Sequence, residues 1–224
     1  MKRSEVNSII TEMKEFLNLH RFMLPEWAHW SPDKWKDAYA KCSEIIDNKL
    51  GWDITDFGGD NFKSKGLSLF TLRNGNWNKK DKMYCEKIMV AEEEQETPMH
   101  FHWNKTEDII NRGGGNLVIE LYMATSDDQL LEEPVTVSID GVLTTVKAGK
   151  PLILMPGQSI CLKPRLYHRF YGQKNKGSVL IGEVSMVNDD ANDNRFYERV
   201  GRFPEIIEDV KPVHLLVNDY GKYL

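Results

Sequence analysis

From about residue 55 onward, the chain is divided into short segments rich in β-branched and aromatic residues, and turn residues separate these segments. This composition is typical of β-strands. Asp140-Gly141 lies between two such segments and favours a type I′ turn in a β-hairpin. Many short strands with few helices predict a β-sandwich or a small β-barrel. The predicted strands are 67–73, 83–90, 116–124, 135–139, 143–147, 151–155, 159–162, 167–171 and 178–187.

The first 55 residues have a different pattern, in which apolar residues repeat at helical spacing. Ser4 is predicted to cap a first helix, and Ser31-Pro32 to begin a second, because serine favours the N-cap and proline the first helical position. Gly51 is predicted to end the second helix. The two apolar faces comprise Val6, Ile9, Ile10, Met13 and Leu17 in the first helix, and Trp35, Ala38, Tyr39, Cys42, Ile45 and Ile46 in the second.

These patterns divide the chain into three structural parts. Residues 1–55 are expected to form a helical segment that packs on the barrel, and residues 56–190 to form the barrel itself. Residues 191–224 begin with a polar stretch and are expected to form a loop and extension over the barrel. The apolar surface of the helical segment is more than one small barrel covers, so we expect a homodimer.

Charge and cysteine content narrow the classes of partner and compartment. A net charge of −5 on 224 residues argues against nucleic acid as a partner. The N-terminus has no continuous apolar stretch typical of a signal peptide, and the longest uncharged segment, 151–162, is too short to cross a bilayer. Cys42, Cys85 and Cys161 form no CxxC motif, which favours reduced thiols. We expect a cytoplasmic protein without a membrane partner.

The segment PMHFHWNKTEDI, residues 98–109, has the pattern of a metal site. His100 and His102 lie on the same face if the segment is a strand, and Glu107 follows after a turn. His168, in the aromatic β segment LYHRFY, is the best candidate for a third imidazole. Three imidazoles and one carboxylate suit a first-row divalent metal. His20, His29 and His214 lie in or near helices or in the tail, and we expect them to be ordinary core or surface residues.

Other charged residues accompany this pattern. Lys105 lies inside the histidine motif, where a cation is costly unless it serves an anion or a developing negative charge. Lys87 shares a strand face with Cys85 and Met89, so it can point into the barrel or snorkel outward. Glu183 is a charge inside an apolar strand, which favours a functional role. Asp189, Asp190 and Asp193 follow as an acidic loop that at least in part is an ordinary solvated turn.

These groups favour chemistry on a polyhydroxylated substrate. The chain has no dinucleotide-binding, phosphate-loop or nucleophile-elbow motif. A metal ion lowers the cost of removing a proton next to a carbonyl, a carboxylate can move that proton between two carbons, and a lysine can stabilise the resulting oxyanion. Together they are suited to aldose–ketose isomerisation.

The motifs resemble those of the cupin family. His100, His102, Glu107 and Gly114 match the first cupin motif, and Gly157, Pro164 and His168 resemble the second, with the proline displaced from its usual position. The resemblance implies a mainly β fold, a double-stranded β-barrel (jelly roll) with its metal inside, to which this chain adds N-terminal α-helices.

Longer stretches resemble the D-lyxose isomerase family of cupins: residues 66–75, 86–117, 182–196 and 202–209. The resemblance implies interconversion of D-lyxose and D-xylulose, and of D-mannose and D-fructose, with Mn²⁺ as the usual metal. It also implies that Lys105 contacts substrate oxygens. The implied metal ligands are His100, His102, Glu107 and His168.

The roles of the other residues are hypotheses. Glu183 is assigned as the proton shuttle, and Lys87 or Lys105 as the oxyanion partner; Lys87, Lys105, Glu107, Glu183 and Asp190 are assigned to substrate binding. Alternatives stay open: a non-haem Fe(II) dioxygenase, a phosphosugar isomerase, or a non-catalytic sugar-binding cupin.

Overall fold

The computed structural model describes residues 1–79, 82–201 and 203–224. Arg202, the first residue of the fourth stretch of family resemblance, therefore lies outside the described residues. The helices are α1 (Arg3–Leu19), α2 (Pro32–Ala38), α3 (Ser43–Asp47) and α4 (Tyr220–Tyr223), with short 3₁₀ helices at Glu26–His29 and Tyr39–Lys41. In the described residues, no helix combines the length and apolar character needed to span a membrane.

The first helix buries the predicted apolar face, which confirms its periodicity. Each side chain of this size contributes about 1.5–3 kcal/mol when fully buried. The predicted cap is wrong, because the helix begins at Arg3 and Lys2 occupies the N-cap without a side-chain hydrogen bond. Ser4 instead lies in the first turn, and its hydroxyl donates a hydrogen bond to Asp209, 2.6 Å away.

The second helical segment starts as predicted but is not one helix. The backbone N–H of Lys34 donates to the Ser31 hydroxyl at 3.3 Å, which confirms Ser31 as the cap of α2. Helix α2 then ends at Ala38, and the chain passes through a 3₁₀ turn into α3. Gly51 does not end a helix. It is the first residue of a strand, has φ of 126°, and a Cβ there would lie 2.5 Å from the Tyr220 hydroxyl.

Fourteen strands are assigned in the described residues: β1 (Gly51–Thr55), β2 (Leu67–Arg73), β3 (Tyr84–Ala91), β4 (Thr97–His102), β5 (Glu107–Gly114), β6 (Leu117–Ala124), β7 (Leu130–Leu131), β8 (Val135–Ile139), β9 (Val142–Val146), β10 (Leu152–Leu154), β11 (Ser159–Leu162), β12 (Leu166–Gly172), β13 (Val179–Met186) and β14 (Asn194–Phe196). Their pairings are antiparallel. They form an eight-stranded sheet in the order β1-β2-β3-β13-β5-β11-β8-β9 and a six-stranded sheet in the order β10-β6-β12-β4-β14, with β7 beside β6. The predicted mainly β, cupin-type fold is confirmed.

The two faces of the eight-stranded sheet pack against different partners. Leu69, Met89 and Ile181 point inward and join a core with the six-stranded sheet. Phe70 and Ile88 point outward and pack against the buried face of α1. The alternation along the strands thus produces two apolar layers, one inside the barrel and one beneath the helix.

Four strands were not predicted, namely β1, β5, β7 and β14, and β4 was anticipated only through the shared strand face of His100 and His102. Strand β5 reads EDIINRGG, and its charged and amide side chains hide the apolar alternation. Strand β14 lies in the tail that the sequence predicts as loop, and it pairs with β4 through Asn194 opposite His102. At the other end, β1 pairs with β2 over Gly51–Thr55.

Candidate active site

A small cavity lies between the two sheets. Every residue that the sequence analysis assigned to the metal, to catalysis or to substrate binding lines this cavity. These residues are Lys87, His100, His102, Lys105, Glu107, His168, Glu183 and Asp190. The fold therefore brings together side chains that lie far apart in the sequence, from Lys87 on β3 to Asp190 after β13.

The three histidines come from two neighbouring strands. His100 and His102 point to the same side of β4, and His168 on β12 lies directly opposite His100 in the antiparallel register. Their ligand atoms all lie within 4.8 Å of one another, and all three side chains are buried. The group does not include His20, His29 or His214.

Backbone contacts fix which ring nitrogen of two histidines carries the proton. Nδ1 of His100 donates to the Pro98 carbonyl at 2.7 Å, and Nδ1 of His168 donates to the Leu166 carbonyl at 3.0 Å. Their Nε2 atoms remain available as ligands. Within the described residues, Nε2 of His168 has no hydrogen-bond partner.

The electrostatic surroundings favour neutral imidazoles. Burial lowers the pKa of His100 well below its ordinary value, and His168 and His102 lower it further. Burial and the Lys105 ammonium also lower the pKa of His102. Neutral imidazole is the form that binds a metal.

Glu107, at the start of β5, places an oxygen beside two of these histidines. Its Oε1 lies 3.3 Å from Nε2 of His102 and 3.1 Å from Nε2 of His168. Burial alone would raise the pKa of Glu107, but Lys105 and His102 outweigh it and hold this pKa well below its ordinary value. Three imidazole nitrogens and one ionised carboxylate are a donor set that fits a first-row divalent metal.

Beside the histidines lies a buried cluster of two lysines and two glutamates. The Nζ of Lys105 lies 2.7 Å from Oε2 of Glu107 and 2.9 Å from Oε1 of Glu183. The Nζ of Lys87 lies 3.3 Å from the other oxygen of Glu183, and the two residues face each other across β3 and β13. The structure thus resolves the sequence alternative for Lys87, whose side chain points into the cavity.

Each charge in the cluster depends on its neighbours. Burial alone would raise the pKa of Glu183, but Lys105 and Lys87 reverse this and lower it. Burial alone would lower the pKa of Lys105, but Glu107 and Glu183 reverse this and raise it. The cluster therefore keeps an ionised carboxylate next to two ammonium groups in a site largely closed to water.

Asn188 and Ser185 contact this cluster, although the sequence analysis did not select either residue. Oδ1 of Asn188 accepts hydrogen bonds from Lys87 at 2.6 Å and from Lys105 at 3.4 Å. The Ser185 hydroxyl donates to Oε1 of Glu183 at 2.9 Å. Ser185 lies two positions after Glu183 on the same strand, so alternation along β13 could have indicated it. No periodic signal points to Asn188, because it lies after the strand ends.

Asp190 and several aromatic rings form another part of the cavity wall. Asp190 lines the cavity on the chain segment after β13. The ring of Phe196 lies 5.3 Å from that of His100 and 5.8 Å from that of Phe57, measured between centroids. Phe196 belongs to β14, which the sequence analysis did not predict, so its place beside the histidines was also missed.

Known proteins match this chain over nearly its whole length or all of it. A sequence profile described as D-lyxose isomerase matches residues 1–220. Relatives named D-lyxose/D-mannose isomerase from Serratia proteamaculans and Escherichia coli O157:H7 are 51% and 48% identical, over 227 and 226 residues, and the matches cover all of each chain.

Solved structures share the fold at much lower identity. L-ribose isomerase from Cellulomonas parahominis, without ligand, superposes with a TM-score of 0.61 at 14% identity, covering 92% of this chain and 98% of that chain. L-ribose isomerase from Acinetobacter sp. DL28 in complex with L-ribose gives 0.58 at 15% identity with the same coverage. At this identity the likeness concerns the fold alone. The profile and the two close relatives, in contrast, cover the chain almost completely or completely, and the chain belongs to the D-lyxose isomerase family and is a sugar isomerase.

Proposed function

We propose that this enzyme interconverts D-lyxose and D-xylulose, and D-mannose and D-fructose, with a bound divalent metal, Mn²⁺. The observation that carries the proposal is the position of Glu183, an ionised carboxylate between two lysines in the same buried cavity as three histidines. The names of the close relatives support D-lyxose and D-mannose as substrates.

The metal would be held by His100, His102, His168 and Glu107. Nε2 of His168 has no geometric hydrogen bond within the described residues and lies 3.1 Å from Oε1 of Glu107, and both observations support this ligand set. When bound, a divalent ion polarises the carbonyl of the open-chain sugar and makes the neighbouring C–H more acidic. Glu107 would partly balance the charge of the ion, and its other oxygen lies 2.7 Å from Nζ of Lys105.

Glu183 is assigned as the group that moves the proton. Its carboxylate accepts the proton from C2 of the aldose, and the C–H electron pair forms a C1=C2 double bond while O1 takes negative charge. The same carboxyl returns the proton to C1. The O2 proton moves to O1, so that a carbonyl remains at C2 and the atoms balance. The Ser185 hydroxyl keeps one oxygen of Glu183 oriented throughout.

The two lysines are assigned to the charge that develops on the sugar oxygens. Both ammonium groups lie beside Glu183, so an oxyanion formed there meets preorganised positive charge in a site of low dielectric. Asp190 and Glu107 are assigned as further substrate contacts, because both line the same cavity.

The proposal also includes the assembly and location expected from the sequence. We propose a homodimer, and a sedimentation experiment that finds only monomer at micromolar concentration would refute it. A cytoplasmic location is supported by Cys42, Cys85 and Cys161, which are free thiols in the structure.

The proposed reaction is tested by product analysis. The purified protein is stripped of metal, reloaded with Mn²⁺, and incubated with D-lyxose or D-mannose. We expect D-xylulose or D-fructose with the reloaded protein, and no ketose with the stripped protein or with a His168→Ala variant. Absence of both ketoses from a protein shown to contain Mn²⁺ would contradict the proposal.

A further inference from the structure

We infer that Asp193 is a positioning residue of the metal centre, which orients His102 and fixes the loop that carries Lys105. This inference rests on the metal site of the proposed function. Asp193 lies between β13 and β14, outside the histidine motif, and only 6% of its surface is exposed.

His102 differs from the other two histidines in the environment of its second ring nitrogen. His100 and His168 each donate Nδ1–H to a backbone carbonyl. Nδ1 of His102 is buried and has no hydrogen-bond partner among the described residues. The carboxylate oxygen Oδ2 of Asp193 lies 4.0 Å from it. An imidazole that binds a metal through one nitrogen normally donates from the other to an acceptor, and a carboxylate is a common acceptor.

The ion-pair contact of the Asp193 carboxylate is also unusual. Across residues 1–79, 82–201 and 203–224, no lysine or arginine forms an ion pair with Asp193, and His102 is the one basic side chain within 4.0 Å of its carboxylate. A buried anion is costly unless it is compensated. Three hydrogen bonds from Asn104 and Lys105 compensate part of this charge, and a His102 ring that carries the Nδ1 proton would add to the compensation.

Backbone contacts hold the carboxylate in place. Oδ1 of Asp193 accepts from the backbone N–H of Asn104 at 2.8 Å and from its side-chain amide at 3.0 Å, and Oδ2 accepts from the N–H of Lys105 at 3.1 Å. The Asp193 carbonyl accepts from Trp103 N–H at 3.0 Å. One side chain therefore accepts hydrogen bonds from the loop from which Lys105 reaches Glu183, and it also places a carboxylate oxygen 4.0 Å from Nδ1 of His102.

The inference is tested by measuring Mn²⁺ affinity without sugar, by calorimetric titration of metal-free protein. Asp193→Asn removes the charge and keeps one oxygen, which can still accept from Asn104 as Oδ1 does, whereas the amide NH₂ in place of Oδ2 cannot accept from the N–H of Lys105. We expect it to bind Mn²⁺ about 10–100-fold more weakly, while its melting temperature without metal stays close to that of the unmodified chain. An affinity within about twofold of the unmodified chain would overturn the inference.

Asp189→Asn is the matched control. Asp189 lies in the same segment, and its carboxylate accepts from the backbone N–H groups of Ala191 and Asn192. The variant loses the same charge from the same loop, and we expect Mn²⁺ affinity to be unchanged. If it weakened binding as much as Asp193→Asn, the effect would be one of general loop charge, and the inference would be wrong.

A double-mutant cycle separates an action through His102 from a general structural effect. In a His102→Gln background we expect Asp193→Asn to have little further effect on Mn²⁺ affinity, because its target is absent. An equal loss in both backgrounds would overturn the inference. Failure of the proposed function is distinguishable: a chain that binds Mn²⁺ in this pattern but forms no ketose refutes the isomerase proposal and leaves the role of Asp193 intact.

Discussion

The ammonium nitrogen of Lys105 lies 2.9 Å from Oε1 of Glu183, and both side chains are at least 95% buried. Lys105 lies in the loop after β4, the strand that carries His100 and His102. Glu183 lies on β13 of the other sheet. The contact therefore joins the proposed metal centre to the proposed proton shuttle. Removal of either charge would leave the other charge buried without one of its ion-pair partners.

Glu183→Gln should reduce turnover by about 10²–10⁴-fold, because an amide cannot accept the C2 proton. Mn²⁺ affinity should stay near normal, since Glu183 is not assigned as a ligand. Steady-state rates together with metal analysis measure both. Near-normal turnover with the metal bound would show that another group moves the proton.

A matched control for Glu183→Gln is the neutralisation of a different carboxylate close to the cavity. Asp108 neighbours Glu107 on β5, but its side chain is exposed on the other face of the strand. Asp108→Asn should leave turnover within a few-fold of normal. A loss comparable to that of Glu183→Gln would mean that net charge near the cavity, rather than the position of Glu183, controls the rate.

The two lysines should differ in their effect on stability. Lys105 contacts Glu107 and Glu183, whereas Lys87 contacts Glu183 and Asn188. Lys105→Met leaves two carboxylates without this partner and should cost about 3–5 kcal/mol in the free energy of unfolding. Lys87→Met should cost less, because Lys105 still pairs with Glu183. Denaturant unfolding of both metal-free variants measures the difference; equal costs would contradict it.

Arg3 should be important for stability although it lies far from the cavity in sequence. Its guanidinium donates to both oxygens of Glu208 and to both oxygens of Asp219, each at 2.8 Å, and its side chain is fully buried. Arg3→Met should lower the free energy of unfolding by about 3 kcal/mol and leave Mn²⁺ affinity unchanged. Lys211→Met, at an exposed position, is the control. Equal unfolding midpoints for the two variants would contradict this role.

The contact with Arg3 also predicts a pH dependence. Hydrogen bonds from Arg3 lower the pKa of Glu208 from 4.5 to about 2, and Lys222 adds to the shift. A lowered carboxyl pKa stabilises the fold above the unfolded value of 4.5, and this stabilisation is lost as the pH falls towards 2. The difference in melting temperature between the unmodified chain and Glu208→Gln should therefore shrink as the pH falls from 6 to 2. A constant difference across that range would contradict the assignment.

Spacing along the sequence was enough to select the histidines and charged residues of the cavity that lie on strands. His100 and His102 share a face of β4, and parity along β3 places Lys87 beside Met89 in the cavity. Asn188, which contacts Lys87, and Phe196, which lies beside His100, were missed because both belong to the chain after β13, which folds back without a periodic pattern.

The residue preferences of helix ends gave wrong predictions where contacts with residues distant in the sequence determine the local backbone conformation. Ser4 has the residue type of an N-cap, but Asp209, 205 positions away, binds its hydroxyl. Gly51 has the residue type of a helix end, but the Tyr220 hydroxyl leaves no room for a Cβ at the start of β1. Both partners lie in the C-terminal segment, so a window of neighbouring residues cannot reveal them.

One labelling experiment tests whether a metal-dependent proton transfer takes place in this cavity. The protein loaded with Mn²⁺ is incubated with D-lyxose in D₂O, and the product is examined by NMR beside a control treated with EDTA. We expect D-xylulose that carries solvent deuterium at C1, formed only when the metal is present. If the loaded protein, shown by metal analysis to contain Mn²⁺, produced no ketose from D-lyxose or from D-mannose, the assignment of this cavity as the site of isomerisation would be contradicted.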